Sequence, residues 1–141
     1  MIDIKNFVFD TVYNQLSTQF PNANITAGYD EQNAIFPTVI VRETNNQPYR
    51  ASATDDCSEN HTRVTFEIEV ESDQETTGRS ECETILSAVD EIMQGMKFRR
   101  VHKNRPINID RTVWRQYARY EVIVGKPIEV DGNTVYQMYR R

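Results

Sequence analysis

The segment at residues 61–95 changes its hydrophobic period midway, and this change constrains the fold more than any other feature of the chain. Over residues 62–72, apolar and polar side chains alternate, which predicts a strand that is buried on one face only. Over residues 82–96, apolar side chains recur every three or four positions, which predicts an amphipathic helix. Neither element can bury its apolar face alone, so we expect the strand and the helix to share one core.

Length and composition indicate one folded domain. The chain has 141 residues, of which 38% are hydrophobic, and this is enough to form a core. No apolar run reaches the length of a membrane span, and residues 1–6 lack the charged and apolar regions of a signal peptide. We therefore expect a single domain over residues 1–141 in an intracellular protein, with Cys57 and Cys82 as free thiols.

Charge is divided unevenly along the chain. Residues 1–96 contain 5 Lys or Arg against 17 Asp or Glu, whereas residues 97–141 contain 11 against 4. Opposite charges that meet within one folded domain would explain this division, and this is the interpretation we favour. The same division also suits copies of the chain that associate head to tail, which form a ring if the rotation closes.

Further periodic segments complete the predicted architecture. A helix is predicted over residues 3–19, with Asp3 as its cap. Its apolar face comprises Ile4, Phe7, Val8, Val12 and Leu16, with Tyr13 at the margin. Strands are predicted at residues 24–29, 36–43, 98–101 and 113–124. This order predicts an α+β fold, a mostly antiparallel sheet with two helices packed on one face.

Two segments are predicted to extend from this domain. Residues 44–60 are polar, and a connection of this length is usually functional or disordered, so we expect a flexible loop or hairpin arm there. The dipeptide Asp131-Gly132 lies between β-rich segments and predicts a C-terminal hairpin within residues 126–141. This hairpin has few apolar residues, so we expect it to be an arm that reaches a neighbouring molecule.

No combination of residues predicts catalysis, a metal site or a cofactor site. The two histidines, His61 and His102, and the two cysteines are too scattered for a structural zinc site. Cys82 lies on the apolar stripe of the second helix, which is typical of a buried cysteine rather than a nucleophile. No phosphate-binding glycine loop and no G-x-S-x-G motif is present. We therefore expect a protein that is not an enzyme and binds neither metal nor cofactor.

The solvent-facing side of the sheet carries the candidate functional residues. Glu67, Glu69 and Glu71 share one face of the central strand, about 7 Å apart in succession. Arg115 and Arg119 share one face of a later strand, so a cross-strand charge ladder is predicted. A subunit contact or a lumen wall is the further function that we consider for the same five residues. In the case of a subunit contact, charge reversal at the two arginines would weaken assembly more than folding.

Basic and aromatic side chains alternate in the last third of the chain, as in proteins that bind single-stranded nucleic acid. The basic residues are Lys97, Arg99, Arg100, His102, Lys103, Arg105, Arg111, Arg115 and Arg119. The isoelectric point near 5.1 argues against a dedicated nucleic-acid binder, whose footprint normally makes the domain basic. Nucleic-acid binding is therefore a minority interpretation.

The predicted arrangement resembles the tail terminator proteins of long-tailed bacteriophages, also called tail completion or tail-to-head joining proteins. The resemblance rests on a pattern of elements that covers most of the chain, without a catalytic signature. These are the N-terminal helix ending at residues 16–20, the Phe-Pro strand at 36–41, the polar segment before the strand at 64–70, the helix ending at Gly95, and the strand at 120–124. Residues from 126 onward are outside the resemblance.

This resemblance implies a structural protein of the virion that assembles in the host cytoplasm. It implies a ring, a hexamer, that caps the finished tail tube and joins it to the head connector or neck. The partners would be copies of the chain, the tail tube protein and the connector. DNA would pass through the lumen without specific binding, and no membrane would be involved. An acidic row such as Glu67, Glu69 and Glu71 could line the passage, because it would repel phosphate.

Two other classes of function fit the same sequence. A head-completion or neck adaptor, or a tail tube subunit, would have a similar composition. A small intracellular enzyme, ligand-binding domain or nucleic-acid-binding α+β domain is the second class. The enzyme alternative requires a deep pocket that contains two or more of Glu67, Glu69, His102 and Cys82.

Overall fold

The computed structural model of the chain describes residues 1–28, 36–50, 60–109 and 113–139. Within these residues the chain forms two helices and nine strands. In chain order they are α1 (Lys5–Gln19), β1 (Asn24–Thr26), β2 (Thr38–Pro48), β3 (His61–Ser72), α2 (Gly78–Gly95), β4 (Arg99–Lys103), β5 (Ile107–Asn108), β6 (Trp114–Gly125), β7 (Ile128–Val130), β8 (Asn133–Val135) and β9 (Met138–Tyr139).

In the described part of the chain, seven strands form one sheet in the order β1-β2-β3-β6-β4, and β5 and β9 also pair with β6. β1 pairs with β2 in parallel, and the other pairs in this sheet are antiparallel. Buried residues of α1 and α2 join one face of this sheet in a single hydrophobic cluster. The predicted α+β fold, with two helices packed on a mostly antiparallel sheet, is therefore confirmed.

The alternation of β3 determines which of its residues enter the core. Its apolar core residues are at most 1% exposed: Val64, Phe66, Ile68 and Val70. They pack with the buried stripe of α2 in the same hydrophobic cluster. At the centre, the rings of Phe66 and Phe98 meet edge to face, with centroids 5.8 Å apart. The expectation that this strand and helix share one core is therefore confirmed.

The polar segment at residues 44–60, for which a flexible loop or a hairpin arm is predicted, is partly a strand. β2 continues to Pro48, and after a register shift it remains paired with β3. The Asn46 side-chain amide donates a hydrogen bond of 3.0 Å to the carbonyl of Ile2, which fixes this end of the strand. Of the two alternatives, residues 45–48 agree with the hairpin and not with the loop, because backbone pairing does not require apolar side chains. Residues 51–59 lie outside the described residues.

Helix α1 differs from its prediction at its start and on its apolar face. It begins at Lys5, whose backbone N–H donates a hydrogen bond to the Asp3 carboxylate at 3.0 Å. Phe7 and Tyr13, which are predicted to lie on or beside the buried face, are exposed. The ring of Phe7 packs 5.3 Å from that of Tyr136, near the other end of the chain. Local periodicity cannot predict such a contact, because it depends on where a distant segment crosses the helix.

The predicted C-terminal hairpin is present. β7 and β8 pair across the turn Asp131-Gly132, whose residues have φ of 51° and 80°, as the turns of two-residue hairpins require. β9 then returns and pairs with the end of β6. The projecting part is thus residues 126–135, shorter than the arm that is predicted over 126–141. Residues 140 and 141 lie outside the described residues.

Gly78 begins α2 in direct contact with Trp114 at the start of β6. A Cβ atom at Gly78 would lie 2.6 Å from Trp114 Cδ1, and the indole ring is rigid. We expect Gly78→Ala to lower the free energy of unfolding by about 1–2 kcal/mol, because the overpacking cost exceeds the gain in helix propensity. Urea unfolding measures the difference. Gly95→Ala, where the added Cβ meets no atom within 4 Å, is the control, and equal losses at the two sites would contradict the expectation.

Neither helix in the described part of the chain is long and apolar enough to cross a membrane.

Candidate functional site

The solvent-facing side of the sheet carries a ladder of opposite charges. β3 lies between β2 and β6, and the strand registers place Glu67 opposite Arg42 and Arg119, and Glu71 opposite Arg115. Arg42 Nη2 lies 3.4 Å from Glu67 Oε1. We call the following ion-paired residues the charged ladder: Arg42, Arg63, Glu67, Glu69, Glu71, Arg99, Arg115, Arg119 and Glu121.

Arg115 makes the shortest contacts of the charged ladder. Its Nε lies 2.7 Å from Glu69 Oε1, and its Nη2 lies 2.7 Å from Glu71 Oε1. Glu69 is only 5% exposed, because the register places Ile40 and Tyr117 on either side of it. Hydrogen bonds between charged groups at this distance are about twice as strong as neutral ones. Arg115 therefore neutralises a carboxylate that the sheet has largely removed from water.

The other contacts of the charged ladder are longer. Glu67 lies 3.7 Å from Arg119, whose side chain is 49% exposed. Glu121 lies between Arg63 at 3.5 Å and Arg99 at 3.6 Å. Cross-strand pairs of this kind contribute about 0.2–1 kcal/mol each, less where they are exposed. Their clearest effect is on register, since a shifted strand would place like charges opposite each other.

The structure brings the five sequence-predicted site residues together: Glu67, Glu69, Glu71, Arg115 and Arg119. The charge ladder is present, and the acidic and basic parts of the chain meet within one sheet, as in the interpretation that we favour. Arginines that face glutamates offer less positive charge to phosphate, which gives no support to nucleic-acid binding on this face. Glutamates that each pair with an arginine across the strands are typical of a structural charge ladder.

A second charged cluster lies on the helical side of the sheet and is absent from the sequence predictions. Tyr120 Oη donates a hydrogen bond of 2.9 Å to Asp90 Oδ1, and Arg100 Nη1 donates one of 3.1 Å to the same oxygen. Burial and this hydrogen bond to Asp90 raise the pKa of Tyr120 above its usual range. The cluster connects α2, β4 and β6. In the sequence, this cluster could have been predicted only from Asp90, whose carboxylate lies beside the apolar stripe of α2.

Cys82 is fully buried, as its position on the apolar stripe predicts. Its thiol lies 3.6 Å from the carbonyl oxygen of Val70 and 3.5 Å from that of Trp114. Burial, with the negative charge of nearby glutamates, raises the pKa of Cys82 from 9.0 to about 12. His61 begins β3, whereas Cys82 packs near its end, so the two residues cannot share a metal or catalytic site. Cys57 lies outside the described residues.

We expect Cys82 to resist thiol reagents in the folded protein at mildly alkaline pH, because the thiolate fraction is small and the sulfur is inaccessible. The test uses Cys57→Ser, in which only one thiol remains, and compares labelling in buffer and in guanidinium. Because the pKa is raised in the folded state, the thiol stabilises the fold below pH 9.0, and this contribution is lost as the pH rises to about 12. Labelling of the folded protein as fast as in guanidinium would contradict the expectation that Cys82 resists thiol reagents.

Clefts formed by described residues include three that bear on a possible active site. One, of about 530 Å³, lies between the C-terminal end of α1 and the N-terminal end of α2, and we call it the helix-end cleft. The others, of about 390 and 280 Å³, adjoin β2. None of the three contains Glu67, Glu69, His102 or Cys82, so the enzyme alternative gains no support from them. Among the described residues, no group of three or more His, Cys, Asp or Glu side chains could hold a metal ion.

The C-terminal hairpin presents apolar side chains to solvent. We call residues 126–135 the hairpin arm, and its strands form a two-stranded sheet apart from the main one. Ile128, Val130 and Val135 are 43%, 46% and 41% exposed. Apolar side chains grouped on a projecting element are typical of a contact surface rather than of a core.

Comparison of the sequence with models of protein families gives no match, and comparison with curated proteins gives no significant match. Inferences about function therefore rest on the residues, surfaces and charges described above.

Proposed function

We propose that this protein is a non-enzymatic structural protein of a long-tailed bacteriophage that forms a ring, caps the tail tube and joins it to the head connector. Its partners in this role are copies of itself, the tail tube protein and a connector or neck protein. DNA passes through the ring without specific binding. Assembly takes place in the host cytoplasm, and the protein remains in the neck of the virion.

The observation that carries this proposal is the order of the elements around one sheet. The tail terminator resemblance rests on a helix, a strand after Phe36-Pro37, a central strand, a second helix and a late strand. α1, β2, β3, α2 and β6 occur in this order, and β3 and β6 are adjacent in the sheet. The pattern is not specific to one family, so the other neck proteins and the tail tube subunit are the alternatives within the same class.

The charged ladder supports a subunit contact more than an acidic lumen wall. Each of its glutamates is paired with an arginine of the same chain, so the face presents little surplus negative charge to DNA. Arg119 is half exposed and its distance to Glu67 is long, so it can exchange partners across an interface at little cost. Within this proposal, Arg119 is the ladder residue best placed to contact a neighbouring subunit.

The test of this proposal is the state of the full chain in solution and on tail tubes. We expect sedimentation and electron microscopy to find closed rings of about six times the 16.5 kDa chain mass, alone or on tube ends. On tubes, the rings should cover one end only, because the two faces of a head-to-tail ring differ. A chain that stays monomeric and binds neither tubes nor connectors would contradict the proposal.

A charge variant gives an internal control for that test. Arg119→Glu should weaken ring formation while leaving the unfolding transition nearly unchanged, because this side chain is exposed and its ion pair is long. Lys5→Glu changes a charge by the same amount on the helical side of the sheet and should leave assembly unaffected. Equal effects of the two variants on assembly would indicate that net charge, not a specific contact, controls it.

A further inference from the structure

Strand β4 carries basic residues, and further basic residues lie just before and just after it. In the described part of the chain, β4 is the last strand in the sheet order, next to β6, and all five of its residues are exposed. No Asp or Glu occurs between residues 97 and 109, so this stretch of the chain is uniformly positive. We call the following exposed residues the cationic edge: Lys97, Arg99, Lys103 and Arg105.

Most of the charge of the cationic edge is not neutralised by the chain itself. Among the described residues, no ion pair includes Lys97, Lys103 or Arg105. Arg99 lies 3.6 Å from Glu121, a carboxylate that it shares with an arginine of the charged ladder. The net charge of the chain is −5, so this positive surface is local and does not follow from the composition. Positive charge concentrated in this way attracts an anionic partner.

The carboxylate of Asp90, on the helical side of this edge, does not cancel the surplus. It already accepts hydrogen bonds from Arg100 at 3.1 Å and from Tyr120 at 2.9 Å. Arg100 is therefore the residue of β4 that Asp90 neutralises, and the cationic edge keeps its charge.

Aromatic residues alternate with these basic residues in the sequence, but they do not accompany them to the surface. Phe98 and Tyr120 are 0% exposed. The ring of Tyr117 lies 5.5 Å from that of His102, and the guanidinium of Arg119 lies 5.6 Å from the Tyr117 ring centroid. Proteins that bind single-stranded nucleic acid stack its bases on open aromatic rings. These three aromatic residues offer little open ring surface, so the cationic edge suits phosphates and not unstacked bases.

An acidic protein is the other class of partner that positive charge attracts. The cores of protein interfaces are poor in lysine and are centred on apolar or aromatic anchors. Within β4, Val101 is the one apolar residue, and the other four are basic. Protein–DNA interfaces are much more positive than protein–protein interfaces, which favours DNA. Charge on an edge strand also prevents pairing with a second sheet, but that role does not account for Lys97 and Arg105, which lie outside the strand.

We propose that the cationic edge binds duplex DNA through its phosphates, without reading the base sequence. β4 extends roughly 13 Å from Arg99 to Lys103 at 3.3 Å per residue. Duplex DNA carries about one phosphate charge per 1.7 Å of helix axis, so several phosphates lie within reach of this strand. Contacts to phosphates carry no sequence information and allow a protein to slide along DNA. The inference goes beyond the proposed function, because a chain that forms no ring can bind DNA in this way.

The experiment compares the unsubstituted full chain with an edge variant that carries Lys97→Gly, Lys103→Gln and Arg105→Gln. Fluorescence anisotropy of a short labelled duplex of mixed sequence measures the dissociation constant between about 50 and 200 mM salt. For the unsubstituted chain, we expect the logarithm of the affinity to fall against the logarithm of the salt concentration with a slope of about −3 per bound chain. In the edge variant, the affinity should fall about tenfold or more at low salt, and the slope should be about −1, because Arg99 remains.

Glycine is chosen at Lys97 because the backbone there favours it. Lys97 follows the residue that caps the C-terminal end of α2 and has a φ of 74°, a conformation in which glycine is the usual residue. The substitution therefore removes a charge without straining the fold. Urea unfolding of the edge variant, followed by circular dichroism, checks that the variant is folded.

A matched control separates the cationic edge from the net charge of the chain. The control variant carries Lys5→Gln, Arg79→Gln and Lys126→Gln, which remove the same amount of positive charge at exposed positions outside residues 97–105. It should bind the duplex like the unsubstituted chain. Equal losses of affinity in the edge variant and the control variant would overturn the inference, because net charge alone would then explain binding.

Further outcomes would overturn the inference in other ways. If the unsubstituted chain does not bind the duplex at low salt, or if the edge variant binds it equally well, the cationic edge is not a DNA-binding surface. If a single strand of the same length binds as tightly as the duplex, the assignment to duplex DNA is wrong. If poly-glutamate displaces the duplex as effectively as unlabelled DNA does, the surface serves an acidic protein.

The same measurements distinguish this inference from the proposed function. Rings that do not bind the duplex would overturn the inference and leave the proposed function in place. A chain that binds the duplex at the cationic edge but forms no rings, alone or on tail tubes, would overturn the proposed function and leave the inference in place.

Discussion

Replacement of Phe66 by alanine is expected to lower the free energy of unfolding by about 3–5 kcal/mol. Phe66 is 1% exposed, and its ring meets that of Phe98 edge to face at the centre of the core. The substitution removes the transfer free energy of the ring, leaves a cavity and abolishes the contact between the two rings. Because small domains are stable by only about 5–15 kcal/mol, the variant should be close to the limit of folding.

Urea unfolding followed by circular dichroism measures this loss as a lower midpoint with an unchanged slope. Phe7→Ala is the matched control, because it deletes the same ring from an exposed position where the contact is with Tyr136. We expect it to lower the free energy of unfolding by about 1 kcal/mol or less. Similar losses at the two positions would show that the core is not centred on Phe66.

Arg115→Glu is expected to lower the free energy of unfolding by about 2–3 kcal/mol. Breaking a buried ion pair costs about 3–5 kcal/mol, and we reduce this range because the Arg115 side chain is 35% exposed. The variant leaves Glu69 largely buried without its guanidinium and places a third carboxylate beside Glu71. The expected loss therefore lies in folding, whatever the assembly state of the chain.

Arg119→Glu on the same strand is the control for this prediction. We expect it to lower the free energy of unfolding by about 1 kcal/mol or less, because the ion pair between Arg119 and Glu67 is 3.7 Å long and the Arg119 side chain is exposed. The exchange Arg115→Glu with Glu71→Arg should recover part of the stability, since it restores an opposite-charge pair across the strands. Equal losses at the two arginines would contradict the assignment of Arg115. From the sequence, charge reversal at Arg115 and at Arg119 is expected to weaken assembly more than folding. With the ion pairs of Arg115 known, we keep this expectation for Arg119 only.

The sequence predicts the central elements well because burial in them is local. An alternating strand and a helical stripe each specify a face within a few residues, so β3 and α2 follow from periodicity alone. The same reasoning fails for residues 45–48, which are polar but paired with β3. It also fails for Phe7, whose partner, Tyr136, is near the other end of the chain.

By itself, the sequence determines the α+β class, the core faces of β3 and α2, the buried state of Cys82 and the turn at Asp131-Gly132. These depend on hydrophobic period and backbone preference, which act over short distances along the chain. Only the tertiary structure decides that Arg115 neutralises Glu69 and that Phe7 packs against Tyr136. The physical reason is that both contacts join segments that are distant in sequence. For Arg115 the contact depends on the register between β3 and β6, and a shift of that register by one residue would move every side chain of the strand to the other face.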